Sequence, residues 1–266
     1  VLALEAVLAE LRPIPPAVLG AQESTRAARH ILPSSREHTQ PASIAPPSEK
    51  SANAPLIEAK HLVFGYHTGI PIVQDLSLTI RRGEHTAIIG ESGAGKTTLA
   101  SLLLRLWEPD AGTISYDGIP HTKLPLEASR AYFGAALQGS WLFSASMRDN
   151  FLRLRGDIPE AAIWHALETA QLADVVRALP AGLDEPLGMN ASRLSGGQRS
   201  RLLTALALAG DAPTLLLDEP TAGLDAACGT RLITSVLADA DARGATLIVI
   251  THDLPLLNQM KQVIKL

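Results

Sequence analysis

Nine consecutive residues, Gly90-Glu91-Ser92-Gly93-Ala94-Gly95-Lys96-Thr97-Thr98, fit the pattern G-x-x-x-x-G-K-[ST]. That order suits a polyphosphate. Glycines let the backbone curl so that its N–H groups point inward, a lysine reaches the outer phosphates, and a hydroxyl can hold Mg2+. The flanks match the requirement. Thr86–Ile89 reads as a buried strand and Leu99–Leu104 as a helix, so the loop meets the positive end of a helix dipole. A glycine-rich turn that happens to carry a lysine would not need this context.

Two further groups carry chemistry. Leu215-Leu216-Leu217-Asp218-Glu219 is an apolar run ending in two acids. In a parallel sheet ligands bind beyond the carboxyl ends of the strands. Asp218 is therefore expected near the Mg2+ on Thr97, and Glu219 is a candidate to orient or deprotonate an attacking water. Leu194-Ser195-Gly196-Gly197-Gln198 opens a helical stretch. A serine and two glycines at a helix start make a second anion site from a hydroxyl and free backbone N–H groups.

These groups need an α/β scaffold. Ile57–Phe64 and Ile72–Ile80 read as strands joined by a turn, an antiparallel opening. A helix is expected from the glycine loop to about Trp107, then a strand over Gly112–Tyr116. Leu126–Gln138 leads into a region of helices, of which Pro159–Val176 has the best helical spacing. Leu215–Leu217 and Leu247–Ile250 suit buried parallel strands, with helices at Gln198–Ala209 and Ala226–Ala240. Upstream, Val1–Leu11 is rich in Ala and Leu, Pro13, Pro15 and Pro16 interrupt it, and Ala17–Leu32 reads as a second helix. Residues 33–55 are rich in Pro, Ser and Ala, as a linker is.

Composition narrows the function classes. The 266 residues are 46% hydrophobic with a mean hydropathy of +0.14, enough for a substantial core. Net charge is -4 and only 4% of residues are aromatic, which argues against a nucleic-acid partner. Cys228 is the single cysteine, so neither an internal disulfide nor a cysteine metal cluster is available. No run is long enough to span a bilayer. The chain starts at Val1, inside an apolar stretch, as the downstream part of a longer protein would.

Taken together, the motifs resemble the nucleotide-binding domain of ABC (ATP-binding cassette) proteins, from about Leu56 to the end. Gly90–Thr97 is similar to the Walker A loop, Leu215–Glu219 to Walker B, and Leu194–Gln198 to the LSGGQ signature. The resemblance implies a P-loop NTPase of α/β class: a RecA-like core, an antiparallel β subdomain and a helical signature subdomain at about 139–200. The domain would occupy 56–266, without the C-terminal tail common in such domains, after a linker (33–55) and the end of a last transmembrane helix (1–32). ATP and Mg2+ are the implied ligands.

Other positions take their roles only from the resemblance. Tyr66 corresponds to the aromatic that stacks on adenine, and Gln138 to the glutamine that approaches Mg2+ and senses a membrane domain. Asp225 corresponds to the aspartate that bridges two subunits, and His252 to the switch histidine at the γ-phosphate. Glu219, His252, Lys96 and Gln138 are thus the implied catalytic set. Gly90 to Thr98, Tyr66 and Asp218 would bind nucleotide, and Thr97, Gln138 and Asp218 would serve the metal. Ser195, Gly196, Gly197, Gln198 and Asp225 would serve the ATP of a second ABC domain, identical or homologous, packed head to tail.

Among ABC classes, Ser140–Asn150 and Ala178–Asp184 resemble exporters. Leu172–Pro180 and Glu219–Asp225 resemble the CydC-type subunit of a glutathione and cysteine exporter that supports cytochrome bd assembly. The implied place is the cytoplasmic face of the inner membrane, docked on coupling helices of a transmembrane domain. A separate importer ATPase would begin closer to its first strand. A DNA-repair ATPase would carry a long coiled coil, absent here, and a module without hydrolysis would lack Glu219 or His252. Two residues depart from the exporter pattern. Met189 stands where a glutamate is expected before the signature, and Leu206 where an arginine is usual; both bear on coupling to a membrane domain.

Overall fold

The structure, a computed structural model, describes residues 55–266 apart from Thr68 and Arg155. The expected helices of 1–32, and all of the linker except Pro55, lie outside the described residues. The strands, in chain order, are β1 (Ile57–Phe64), β2 (Val73–Ile80), β3 (Thr86–Ile89), β4 (Ala111–Tyr116), β5 (Ile119–Pro120), β6 (Phe133–Ala136), β7 (Thr214–Asp218), β8 (Thr246–Ile250) and β9 (Gln262–Lys265). The helices are α1 (Lys96–Leu103), α2 (Leu126–Arg130), α3 (Met147–Leu154), α4 (Glu160–Thr169), α5 (Ala173–Arg177), α6 (Gly196–Leu208), α7 (Ala226–Arg243) and α8 (Leu254–Leu257). Among these residues no helix is long and apolar enough to cross a membrane. They divide into two compact units, 55–81 with 98–131, and 82–97 with 132–266.

The first unit is built on an antiparallel sheet of order β2-β1-β4-β5. Strand β1 buries Ile57 and Ala59 and then Leu62 and Phe64. The inward set moves from odd to even positions because the register shifts between Ala59 and Leu62, where His61 has φ 51. The bulge inserts one residue and so returns the apolar side chains to the same face.

Helix α1 ends at Leu103, short of the expected Trp107. Arg105 takes a left-handed φ of 53, its N–H donates to the Leu102 carbonyl (3.0 Å), and the Leu106 N–H donates to that of Ser101 (2.9 Å). This Schellman ending satisfies the terminal carbonyls with a non-glycine residue. What holds Arg105 there is its guanidinium, which donates to the carbonyls of His121 (2.7 Å) and Leu124 (2.8 Å) and to Glu108 (2.8 Å). Glu108 in turn lies 2.6 Å from His121 Nε2, and His121 Nδ1 lies 2.8 Å from the Ile114 carbonyl. A carbonyl only accepts, so Nδ1 carries a hydrogen.

The second unit holds an all-parallel sheet of order β6-β7-β8-β3-β9. Every residue of β7 and β8 is buried, as their unbroken apolar runs require. Helices α3 to α7 share one apolar core with this sheet: Phe151, Leu167, Leu202 and Val236 pack in the same cluster as Leu215, Leu217, Leu247 and Val249. Leu206 packs against that cluster, so leucine fits its place.

One expectation changes in this unit, and two strands form where none was expected. Residues 133–136, on the segment that leads into the helices, form a strand. Gly134 explains it: a Cβ there would lie 2.2 Å from the Ala207 carbonyl, so only glycine lets β6 pass this close to α6. The single helix expected over 159–176 is two. Gln171 has φ 57, and the Leu172 N–H donates to the Leu167 carbonyl (2.8 Å), which closes α4 before α5 begins. Finally, residues 262–265 form β9, an edge strand beside β3.

The Glu108 carboxyl sits at about 2. Burial works against its charge, but the hydrogen bonds and charges of His121 and Arg105 outweigh burial. A lowered carboxylate stabilises the fold in full above its unfolded value of 4.5, and that stabilisation is lost as pH falls from there towards 2. Glu108→Gln is expected to lower the unfolding free energy at pH 7 by about 1–2 kcal/mol, discounted for partial exposure. Urea unfolding at pH 7 and near pH 2 should show the difference from the parent protein shrink at the acid end.

Candidate nucleotide site

Strand β3 delivers the chain to the glycine loop. Gly93 (φ 87) and Gly95 (φ 93) occupy the left-handed region that glycine adopts without strain. Gly90 is needed for space, since a Cβ would lie 3.0 Å from the Leu266 carbonyl and 3.2 Å from Ala94 Cβ. Glu91 and Ser92 are exposed, and the Ala94 N–H donates to the Glu91 carbonyl (3.1 Å), closing a turn. Lys96 Nζ donates to the carbonyls of Gly90 and Glu91, each at 2.8 Å, so its ammonium is folded over the loop.

Thr97 Oγ1 donates to Asp218 Oδ2 at 2.9 Å. Asp218 ends β7 with only 6% of its surface exposed. Burial pushes its carboxyl up. The Thr97 hydroxyl and the Gln138 backbone N–H pull it down, Glu219 adds an upward push, and Lys96 a downward one. A hydroxyl and a buried carboxylate at this distance are hard oxygen donors of the kind Mg2+ takes while keeping several waters. The donor set therefore fits the ion. The Gln138 side chain is exposed, two residues past the end of β6.

Glu219 is backbone-strained. Its φ is 52, an uncommon value for a non-glycine residue, held by its N–H to the Ile250 carbonyl (2.9 Å) and by the Ala222 N–H to its own carbonyl (3.1 Å). Its carboxylate, 13% exposed, meets His252 Nδ1 at 2.9 Å. The hydrogen bond and the negative charge of Glu219 raise the His252 imidazole above its usual value, although its side chain is 82% exposed. Lys96, Thr97, Asp218, Glu219, His252 and the Gln138 backbone thus gather at the carboxyl end of the parallel sheet.

Ser195, Gly196, Gly197 and Gln198 form another group, at the start of α6. Ser195 Oγ accepts from the Gln198 N–H (3.2 Å) and Gln198 Oε1 accepts from the Ser195 N–H (2.9 Å), a reciprocal capping box. A Cβ on Gly197 would lie 2.8 Å from the Gly223 carbonyl and 2.7 Å from Leu224 Cδ2, so this turn presses on residues 223–224. Asp225 caps α7, accepting from the Cys228 N–H at 2.9 Å. Two contacts not foreseen tie α6 to the strand ends: Arg199 donates to the Ser140 carbonyl (2.9 Å) and Ser200 Oγ to that of Pro220 (2.9 Å). No local pattern marks either. Met189 is 74% exposed, on a turn that follows Gly188 (φ 73).

Tyr66 and Thr98 belong to the first unit. There Tyr66 is 38% exposed, and its hydroxyl lies 3.3 Å from Thr98 Oγ1.

The family model described as ABC transporter matches residues 73–222. The ATP-dependent lipid A-core flippase of Neisseria meningitidis serogroup B is 44% identical over 157 residues, 59% of this chain and 25% of the flippase. The mycobactin import ATP-binding/permease protein IrtA of Mycobacterium tuberculosis is 37% identical over 206 residues, 77% of this chain and 24% of IrtA. The chain therefore spans about a quarter of the length of these relatives. Among solved structures, a bacterial Atm1-family ABC exporter with ATP bound superposes with a TM-score of 0.76 at 32% identity, covering 81% of this chain and 38% of the exporter.

The Glu219–His252 pair has a measurable consequence. In Glu219→Gln the imidazole loses its anionic partner, and its pKa should fall back towards 6.5. A proton NMR titration of the His252 ring reads this directly; an unmoved titration would mean that another group sets the histidine's charge.

Proposed function

Because the chain belongs to the ABC transporter family and is an ATPase domain of it, we propose that it powers an exporter through ATP-driven pairing with a second ABC domain. The observation that carries the chemistry is the convergence of Thr97, Asp218, Glu219 and His252 at one end of the parallel sheet. Lys96 is suited to the charge of the outer phosphates once it leaves the Gly90 and Glu91 carbonyls. Thr97 and Asp218 would hold Mg2+, with Gln138 assigned to approach it, and the ion would neutralise charge on the terminal phosphates. Glu219 takes the proton of the attacking water, and His252 holds one of its carboxylate oxygens in place.

Ser195, Gly196, Gly197, Gln198 and Asp225 are assigned to the partner's nucleotide. The hydroxyl and helix-start N–H groups of that turn would stabilise charge in trans, as an arginine finger does. The partner is an identical or homologous ABC domain, and coupling helices of a transmembrane domain at the cytoplasmic face of the membrane complete the machine. The exporter reading is supported by the stretches Ser140–Asn150 and Ala178–Asp184 and by the flippase and Atm1-family likenesses. The name of the mycobacterial relative favours a second reading, import by a protein of exporter build. For the cargo, glutathione or cysteine rests on Leu172–Pro180 and Glu219–Asp225 alone, since the relatives above are named for lipid A-core and mycobactin. ATP-driven accumulation of glutathione in inside-out vesicles bearing the full-length protein tests it. Intact ATP hydrolysis without accumulation would remove that cargo.

Glu219→Gln is expected to slow turnover by roughly two to four powers of ten while ATP binding survives; unchanged hydrolysis would strip Glu219 of its role. Lys96→Ala should weaken ATP binding, measured by calorimetry, and normal affinity would count against the assignment of the loop.

A further inference from the structure

The first unit carries a cluster of aromatic rings that the proposed chemistry does not use in full. Tyr66 packs edge to face with Phe64, ring centroids 5.2 Å apart at 85°, and with Trp107, 5.4 Å apart at 82°. Trp107 also meets Phe64 at 5.8 Å and 50°. Phe64 is fully buried and Tyr66 is the exposed member. A platform for a planar base needs one ring face open and the ring held still, because ordering a free side chain costs affinity. Two near-perpendicular neighbours and the hydroxyl contact to Thr98 at 3.3 Å together set the tilt of the Tyr66 ring.

Trp107 is itself anchored on both sides in sequence. Arg105 sits in its left-handed turn with its guanidinium bonded to the His121 and Leu124 carbonyls, and Glu108 is bonded to His121 and Arg105. The turn that ends α1 therefore presents the indole in a fixed place. We propose that Trp107 is a positioning residue for base recognition: it holds the Tyr66 ring in its stacking orientation and contributes to affinity for the base, not for the phosphates. The proposal rests on the reading of Tyr66 as the base platform.

The test compares ATP with inorganic tripolyphosphate by calorimetry on the full chain, using Tyr66→Ala, Trp107→Ala, the double variant and Trp107→Phe. Tyr66→Ala should lose roughly tenfold or more in ATP affinity, and Trp107→Ala about two- to tenfold, with tripolyphosphate affinity unchanged in both. The double variant should bind ATP no worse than Tyr66→Ala, because the indole acts through that ring. Trp107→Phe should recover most of the loss. If Tyr66→Ala weakens ATP but Trp107→Ala does not, the positioning role is overturned while the platform stands. If Trp107→Ala weakens ATP and tripolyphosphate alike, its role is merely structural and the proposal fails. If Tyr66→Ala leaves ATP untouched relative to tripolyphosphate, the platform reading fails and the proposal with it. Should the alanine variant melt below the assay temperature, Trp107→Leu, which keeps apolar bulk without a ring, is read in the same way.

Discussion

A buried carboxylate is the constraint on which the second unit turns. Asp218 ends a strand with no exposed residue, where burial disfavours its charge. The Thr97 hydroxyl and the Gln138 backbone N–H offset part of that cost. These contacts fasten the chain just past β6 and the first turn of α1 to the end of β7. The arrangement that makes an unpaired carboxylate expensive is also what makes the place attractive to a divalent cation.

Strain and close approach are concentrated around the same strand ends. Glu219 follows Asp218 in a left-handed conformation, with both its peptide groups bonded and its carboxylate against His252. Gly90 faces Leu266, and Gly197 lies against Gly223. A Cβ at Gly90 or Gly197 would press on neighbouring atoms, and Glu219 keeps a left-handed backbone, so the Glu219 carboxylate, the glycine loop and the turn at Ser195–Gln198 are each held by backbone geometry. Side-chain packing alone would leave them softer.

The first unit uses a different device. Its early helix ending and its ring cluster are linked by one arginine in an unusual backbone position. Arg105 ends α1, supports Glu108 and His121, and so fixes the segment that carries Trp107 towards Tyr66. A polar network beside the segment that carries Trp107 trades some desolvation for rigidity.

How much was legible in the residues follows from the range of the forces involved. The glycine loop, the two acids after an apolar run, the signature turn and the strands β7 and β8 are local. Their chemistry is carried by spacing, and wholly apolar runs have few other places to go. Fold class and candidate site were therefore readable before any coordinates. The end of α1 at Leu103, the break at Gln171, the bulge at His61, strand β6 and edge strand β9 were not. Helical spacing runs on through a left-handed residue, and Gly134-Ala135-Ala136 has no strand propensity of its own. Each becomes definite only through a distant group: the carbonyls that bind Arg105, the Ala207 carbonyl that leaves no room for a Cβ, or the partner strand β3 beside β9. The sequence by itself determined which residues could do the chemistry; the tertiary structure decided where each element stops and which backbone positions are held under strain, because those depend on contacts between residues far apart in the chain.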